Sequence, residues 1–194
     1  RYVRPLAAQT PPLQGGVRIV QYRQKEKDYR QLVAEAKQVK ALCDRYGALA
    51  IVNDRVDVAL EINADGVHLG QTDMAVSQAR RLLGPHKLIG QSTTCEPELT
   101  AALATSANYI GVGPVYATPT KAGKAAAGFE YVRLAANHAT IPWFAIGGID
   151  PDTLAPTLAA GATRVAVVRS LMSAPEPSAV AARMLQALDA ATDT

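Results

Sequence analysis

"ALAIVNDRVDVALEINADGVHLG" (48–70) sets two apolar runs on either side of a short amphipathic one. ALAIVND (48–54) reads as a strand, VDVALEIN (56–63) as a short helix and GVHLG (66–70) as the next strand. Strands joined through a helix run parallel, because an antiparallel pair needs only a tight turn. Nearly continuous apolar runs of this kind belong to strands covered on both faces. The stretch therefore predicts a βαβ unit in a parallel sheet.

The alternation repeats in both directions. Upstream, VRIVQYR (17–23) reads as a strand and DYRQLVAEAKQVKALCDRYG (28–47) as a helix. That helix carries an apolar stripe of Leu32, Val33, Ala36, Val39, Ala41 and Leu42, and Gly47 is its stop. Downstream come a helix over 74–84, a strand over 87–93, a helix over 96–106 and a strand over 109–115. A helix over 130–139, a strand over 142–148, a helix over 150–161, a strand over 164–170 and a closing helix over 177–191 follow. In the 150–161 helix Asp150 is the expected N-cap, Pro151 sits at the first helical position, and Pro156 is a candidate kink. Seven strands, each followed by a helix, fit either a doubly wound sheet or a TIM (β/α)8 barrel. The barrel is preferred because polar residues collect at one end of nearly every strand. An eighth strand would have to come from RYV (1–3), and 4–16 is too short for a full first helix, so the first βα unit reads as shortened.

The totals fit this plan. A chain of 194 residues with 48% hydrophobic and 19% charged content can bury one sizeable core. The single domain expected over 1–194 could also be the C-terminal part of a longer protein. A net charge of +3 gives no footprint for nucleic acid. No run approaches the roughly 18 apolar residues of a membrane span, and no secretory signal opens the chain. Cys43 and Cys95 match no metal or redox spacing and are expected as buried, reduced thiols of a cytoplasmic protein.

In a parallel barrel the polar strand ends converge on one mouth. Asp54 and Asp73 lie there with Asn53 and Gln71, and one or two carboxylates suit Mg²⁺ that keeps waters and phosphate oxygens. The ordinary alternative is that each aspartate caps the following helix, and the residue types alone favour it. Lys25, Lys121 and Arg169 supply cations. Carboxylates with metal facing lysines suit a diphosphate better than a single phosphate. AIGGID (145–150) points to a second anion site, where glycine N–H groups can approach a phosphate; the alternative is a plain tight turn. His68 reads as a satisfied inward-facing histidine, His86 and His138 as solvated, and Trp143 and Phe144 as core. Asp57 and Asp65 read as cap or turn residues.

VQYRQK (20–25), VNDRVDVAL (52–60), ADGVHLGQTD (64–73), GQSTT (90–94), YIGVGPVYATPTK (109–121) and WFAIGGID (143–150) together resemble the thiamine-phosphate synthase family. The resemblance implies a TIM barrel that joins a hydroxymethylpyrimidine diphosphate to a thiazole phosphate, plain or carboxylated, giving thiamine phosphate and pyrophosphate. It implies pyrimidine-diphosphate contacts from Gln21, Tyr22, Arg23, Gln24, Lys25, Asn53, Ser92 and Lys121, with Ser92 and Lys121 nearest the chemistry. It implies Mg²⁺ on Asp54 and Asp73, and thiazole-phosphate contacts from Thr118, Pro119, Thr120, Gly148, Val168 and Arg169. The family often has Val-Ser where this chain has Val168-Arg169. The partners implied are phosphorylated small molecules, with a homo-oligomer compatible and no nucleic acid or membrane. Rival readings are a thiazole tautomerase of similar fold and a non-catalytic thiamine-phosphate binder.

Overall fold

The structure is a computed structural model that describes residues 10–117 and 125–192. Seven parallel strands form one sheet in chain order: β1 (Ile19–Tyr22), β2 (Leu49–Asn53), β3 (Gly66–Leu69), β4 (Leu88–Thr93), β5 (Tyr109–Val112), β6 (Trp143–Ile146) and β7 (Val165–Ala166). The helices are α1 (Thr10–Gln14), α2 (Tyr29–Arg45), α3 (Val56–Glu61), α4 (Val76–Leu83), α5 (Glu96–Leu103), α6 (Gly128–His138), α7 (Leu154–Ala159), α8 (Arg169–Met172) and α9 (Pro177–Thr192).

Strand parity decides between the two parallel architectures. Ala50, Val52, Val67, Leu69, Ile89, Ile110, Val112 and Ala145 share one face of the sheet and pack on helix residues such as Ala36, Val58, Ala79, Leu99 and Val132. The opposite face carries Ile51, His68, Gly90, Ser92, Gly111 and Phe144, aligned by the register Asn53↔His68, His68↔Gly90, Ser92↔Gly111 and Gly111↔Phe144. Helices therefore cover one face, the outer one. A doubly wound sheet would place them on both. Among the described residues β1 and β7 are edges, and the inner-face residues Ile19 and Leu49 near β1 are 37% and 38% exposed. The expected eighth strand, residues 1–3, lies outside the described residues.

Local chemistry explains most boundaries. Asp28 caps α2 by accepting the Gln31 N–H at 3.0 Å, and Gly47 ends it at φ 63°. The α2 stripe is as expected except that Ala41 is exposed and Cys43 takes the buried place. Cys95, expected to be buried, is exposed at the start of α5. Two elements are shorter than their sequence suggests. Asp150 accepts N–H groups from Asp152 and Thr153 in a turn, so α7 begins only at Leu154, and Pro156 falls in its first turn, where its missing N–H breaks no bond. The 164–170 run gives two strand residues, and Arg169 and Ser170 open α8 instead. A short apolar run does not itself distinguish strand from buried helix. Among the described residues no helix is long and apolar enough to cross a membrane.

Candidate active site

The C-terminal strand ends place two polar edges on one rim. The first edge comes from β1, β2 and β3. Gln21 lies on the inner face beside Ile51, whereas Tyr22, one residue on, faces α2 and donates its hydroxyl to Glu35 Oε2 at 2.9 Å. Period-two alternation makes the two mutually exclusive as mouth residues, so the Tyr22 side chain braces the strand. Lys27 also pairs with Glu35, which ties down the far end of the β1–α2 loop. Arg23 in this loop is exposed. Gln24 turns its amide oxygen onto the N–H groups of Lys25 and Glu26 at 2.8 and 3.2 Å, so it shapes the loop. That shape carries Lys25 Nζ to within 3.2 Å of Asp54 Oδ2.

Asn53 ends β2 on the inner face, in register with His68. Asp54 follows at φ 62°, a left-handed conformation uncommon outside glycine, and its N–H is held by the His68 carbonyl at 2.9 Å. Neither Asp54 nor Asp73 caps a helix. The residues preceding α3 and α4 are Arg55 and Ala75, neither with a side-chain cap bond. Asp73 instead accepts the Gly70 N–H at 2.7 Å through one oxygen. Burial raises the Asp54 carboxyl above its ordinary value, contact with the Asp73 carboxylate raises it further, and Lys25 only partly offsets this. Two hard oxygen donors in mutual contact, short of positive charge, fit a divalent cation such as Mg²⁺ that completes its shell with water and phosphate. No cluster of three or more His, Cys, Asp or Glu able to hold a metal occurs among the described residues, so an all-protein metal cage is not formed there.

β4 contributes one side chain to the mouth. Ser92 faces inward, while Thr93 faces out and donates to the Gly111 carbonyl at 3.0 Å, and Thr94 bonds Glu98 at the start of α5. Gln71 donates to the Ser92 carbonyl at 2.7 Å, which joins the β3–α4 loop to β4.

The second edge comes from β6 and β7. A cavity of about 300 Å³ lies between Pro114, Gly147, Gly148, Val168, Arg169 and Ser170. Gly147 and Gly148 have φ of 105° and 70°, and a Cβ on Gly148 would fall 2.6 Å from Tyr116 Cβ. Only glycine suits both constraints. The N–H groups of these glycines find no acceptor among the described residues. Val168 is 38% exposed and Arg169 is exposed beside it. The Ser170 hydroxyl, on the lining of the same cavity, is buried and finds no partner among the described residues. Asp150 also lines the cavity. Burial raises its carboxyl, but the Thr153 N–H and hydroxyl, the Asp152 N–H and the field of Arg169 outweigh that and hold it below its ordinary value. Thr118, Pro119, Thr120 and Lys121 lie outside the described residues.

A family profile described as thiamine monophosphate synthase matches residues 4–171. The chain is similar to the thiamine-phosphate synthase of a Synechocystis species, 52% identical over 183 residues, covering 94% of this chain and 53% of that protein. It is 55% identical over 177 residues to the thiamine-phosphate synthase of a Nostoc species, covering 91% of this chain and 50% of that one. The chain thus spans about half the length of the curated relatives it matches. The thiamine phosphate pyrophosphorylase structure from Pyrococcus furiosus superposes with a TM-score of 0.89 at 31% identity, covering 97% of this chain and 91% of that one. The match spans both edges of the rim, and the chain belongs to the thiamine monophosphate synthase family.

Proposed function

We propose that this chain joins 4-amino-2-methyl-5-hydroxymethylpyrimidine diphosphate to a thiazole phosphate, forming thiamine phosphate and pyrophosphate. The observation that carries the reading is the contact of Asp54 with Asp73 beside Lys25, on the same rim as the Gly147–Gly148 cavity. The pair supports a metal-bridged diphosphate, and the glycine cavity supports a monophosphate.

The chemistry then asks for positioning more than for a strong base. The bond between the exocyclic methylene and the diphosphate oxygen breaks, with its electron pair leaving on the diphosphate. The electron-rich aminopyrimidine carries the positive charge. The thiazole nitrogen lone pair forms the new C–N bond; with a carboxylated thiazole, CO₂ is also released. Mg²⁺ on Asp54 and Asp73 would neutralise charge on the leaving group. Lys25 from the β1–α2 loop and Gln21 from β1 hold that substrate's diphosphate and ring, Asn53 and Ser92 orient the ring, and Gly148, Val168 and Arg169 hold the thiazole phosphate. By the family resemblance Lys121 joins the diphosphate contacts, and Thr118, Pro119 and Thr120 the thiazole-phosphate contacts. For the fold, we take the sheet to close as a TIM (β/α)8 barrel through an eighth strand between β7 and β1, and one such unit to be sufficient for activity.

The test is product formation by the purified chain, supplied with both substrates and either Mg²⁺ or EDTA, with thiamine phosphate detected as fluorescent thiochrome. Mg²⁺-dependent product supports the reading. A folded chain that makes none, in either condition, contradicts it.

A further inference from the structure

A hydrogen-bonded chain runs along the inner face of the sheet to Ser92. His68 Nδ1 lies 3.1 Å from the Tyr109 hydroxyl, and His68 Nε2 lies 2.9 Å from Ser92 Oγ. The three residues come from β5, β3 and β4, so the parallel register itself assembles them. Glycine makes the room. A Cβ on Gly90 would fall 2.1 Å from Tyr109 Cζ and 2.5 Å from His68 Nδ1. Phe144 then meets the Tyr109 ring edge-on at 5.5 Å between centroids, and the Tyr109 ring in turn lies 5.5 Å from that of His68. Both rings are held, and His68 is only 9% exposed.

A neutral imidazole satisfies these distances in two proton arrangements. In the first, Tyr109 donates to Nδ1 and Nε2–H donates to Ser92 Oγ. In the second, Nδ1–H donates to the Tyr109 oxygen and Ser92 donates to Nε2. The second leaves the Tyr109 hydrogen with no acceptor among the described residues, an unmade bond that costs free energy in a partly buried site. The first leaves over only the Ser92 hydrogen, on the residue nearest the mouth, where it can point to a substrate. Burial also raises the Tyr109 phenol well above its ordinary value, so it keeps the proton it must donate.

We propose that Tyr109 and His68 are positioning residues that fix the imidazole as its Nε2–H tautomer and so hold Ser92 as a hydrogen-bond donor facing the mouth. The proposal deepens the synthase reading and rests on it for the identity of the acceptor, a ring nitrogen of the aminopyrimidine. Donation to a ring nitrogen strengthens binding of the intact substrate. It does not strengthen as positive charge builds on the ring. The effect therefore falls on the KM for the pyrimidine diphosphate rather than on kcat.

Two measurements test this. The first is the ¹⁵N spectrum of the imidazoles, where His68→Gln identifies the His68 signals among the three histidines of the chain. The wild type shows a protonated Nε2 and an accepting Nδ1, and Tyr109→Phe, which removes only a hydroxyl, loses that preference. A wild-type Nδ1–H tautomer overturns the proposal. The second is a double-mutant cycle. Tyr109→Phe raises the KM for pyrimidine diphosphate by about five- to tenfold, with kcat and the thiazole-phosphate KM near wild type. In a Ser92→Ala background the same substitution changes nothing further; additive losses overturn the proposal. If the wild type makes no thiamine phosphate, the synthase reading fails by itself, the tautomer still decides the proton arrangement, and the cycle is run on calorimetric binding of the pyrimidine diphosphate.

Discussion

The two edges of the rim handle negative charge by opposite means. On the β2–β3 edge the groups are side chains, and they are in conflict: Asp54 sits in a left-handed turn against Asp73, and its carboxyl is raised. On the β6–β7 edge the groups are mainly backbone: Gly147 and Gly148 present N–H groups, and the aspartate there, Asp150, is satisfied by its own turn and lowered. An edge held in tension by like charges calls for a cation. An edge whose amides find no acceptor among the described residues calls for an anion directly. On the proposed reading this difference assigns the substrates: a diphosphate brought with metal to one side, a monophosphate to the other.

Asp54→Asn and Asp73→Asn should break the first edge with the largest effect. Each is expected to lower kcat/KM by roughly 100- to 1,000-fold, the scale of losing a major electrostatic contact to the leaving group. Asp54→Asn should at the same time raise the melting temperature at pH 7 without Mg²⁺, because it removes a repulsion. Mg²⁺ should raise the melting temperature of the wild type and fail to do so for this variant.

Gly148→Ala should break the second edge. The added methyl needs a left-handed backbone and meets Tyr116 Cβ at 2.6 Å. Stability falls by about 1–3 kcal/mol. The KM for thiazole phosphate rises by about tenfold or more, more than that for the pyrimidine diphosphate, as steady-state kinetics would show.

Arg169→Ser sharpens the comparison. An exposed guanidinium beside a phosphate is worth about 1 kcal/mol, so the thiazole-phosphate KM should rise by about fivefold, and the penalty should shrink in high salt. A KM change on the pyrimidine side instead would move Arg169 to the other edge.

The smallest effect concerns acid stability. The Asp150 carboxyl is lowered by folding, so its stabilisation is present above its ordinary value of 3.8 and is lost as pH falls through the folded value. Asp150→Asn should therefore be less stable than wild type at pH 7, and the gap should close in acid denaturation below that range. Asp54 has the opposite sign: its raised carboxyl costs stability at neutral pH, and that cost is relieved as pH falls.

Much of this was legible in the sequence, for reasons that differ by edge. The strand order follows from apolar runs alternating with amphipathic ones, and the glycine pair after Phe144 announces close backbone approach. The carboxylate edge was ambiguous, because an aspartate before a helix reads first as a cap. Only the bend at Asp54 and the Gly70 N–H on Asp73 remove that reading. Strand parity was not legible either: Gln21 and Tyr22 are adjacent and polar, and only the packing of Tyr22 on α2 shows which one faces the mouth. The end of β7 was misread because RVAVVRS has no glycine or proline to mark where strand gives way to α8. His68 was recognisable as an inward histidine, but its partners Tyr109 and Ser92 lie 41 and 24 residues away and meet it only through the register.

The most direct test of the two-edge account is calorimetric titration of each substrate separately, with Mg²⁺ and with EDTA. The account predicts that pyrimidine diphosphate binds only with Mg²⁺ and loses that dependence in Asp54→Asn, while thiazole phosphate binds equally in both buffers. Thiazole phosphate that needs Mg²⁺ as strongly, or pyrimidine diphosphate that binds unchanged in EDTA, would contradict it.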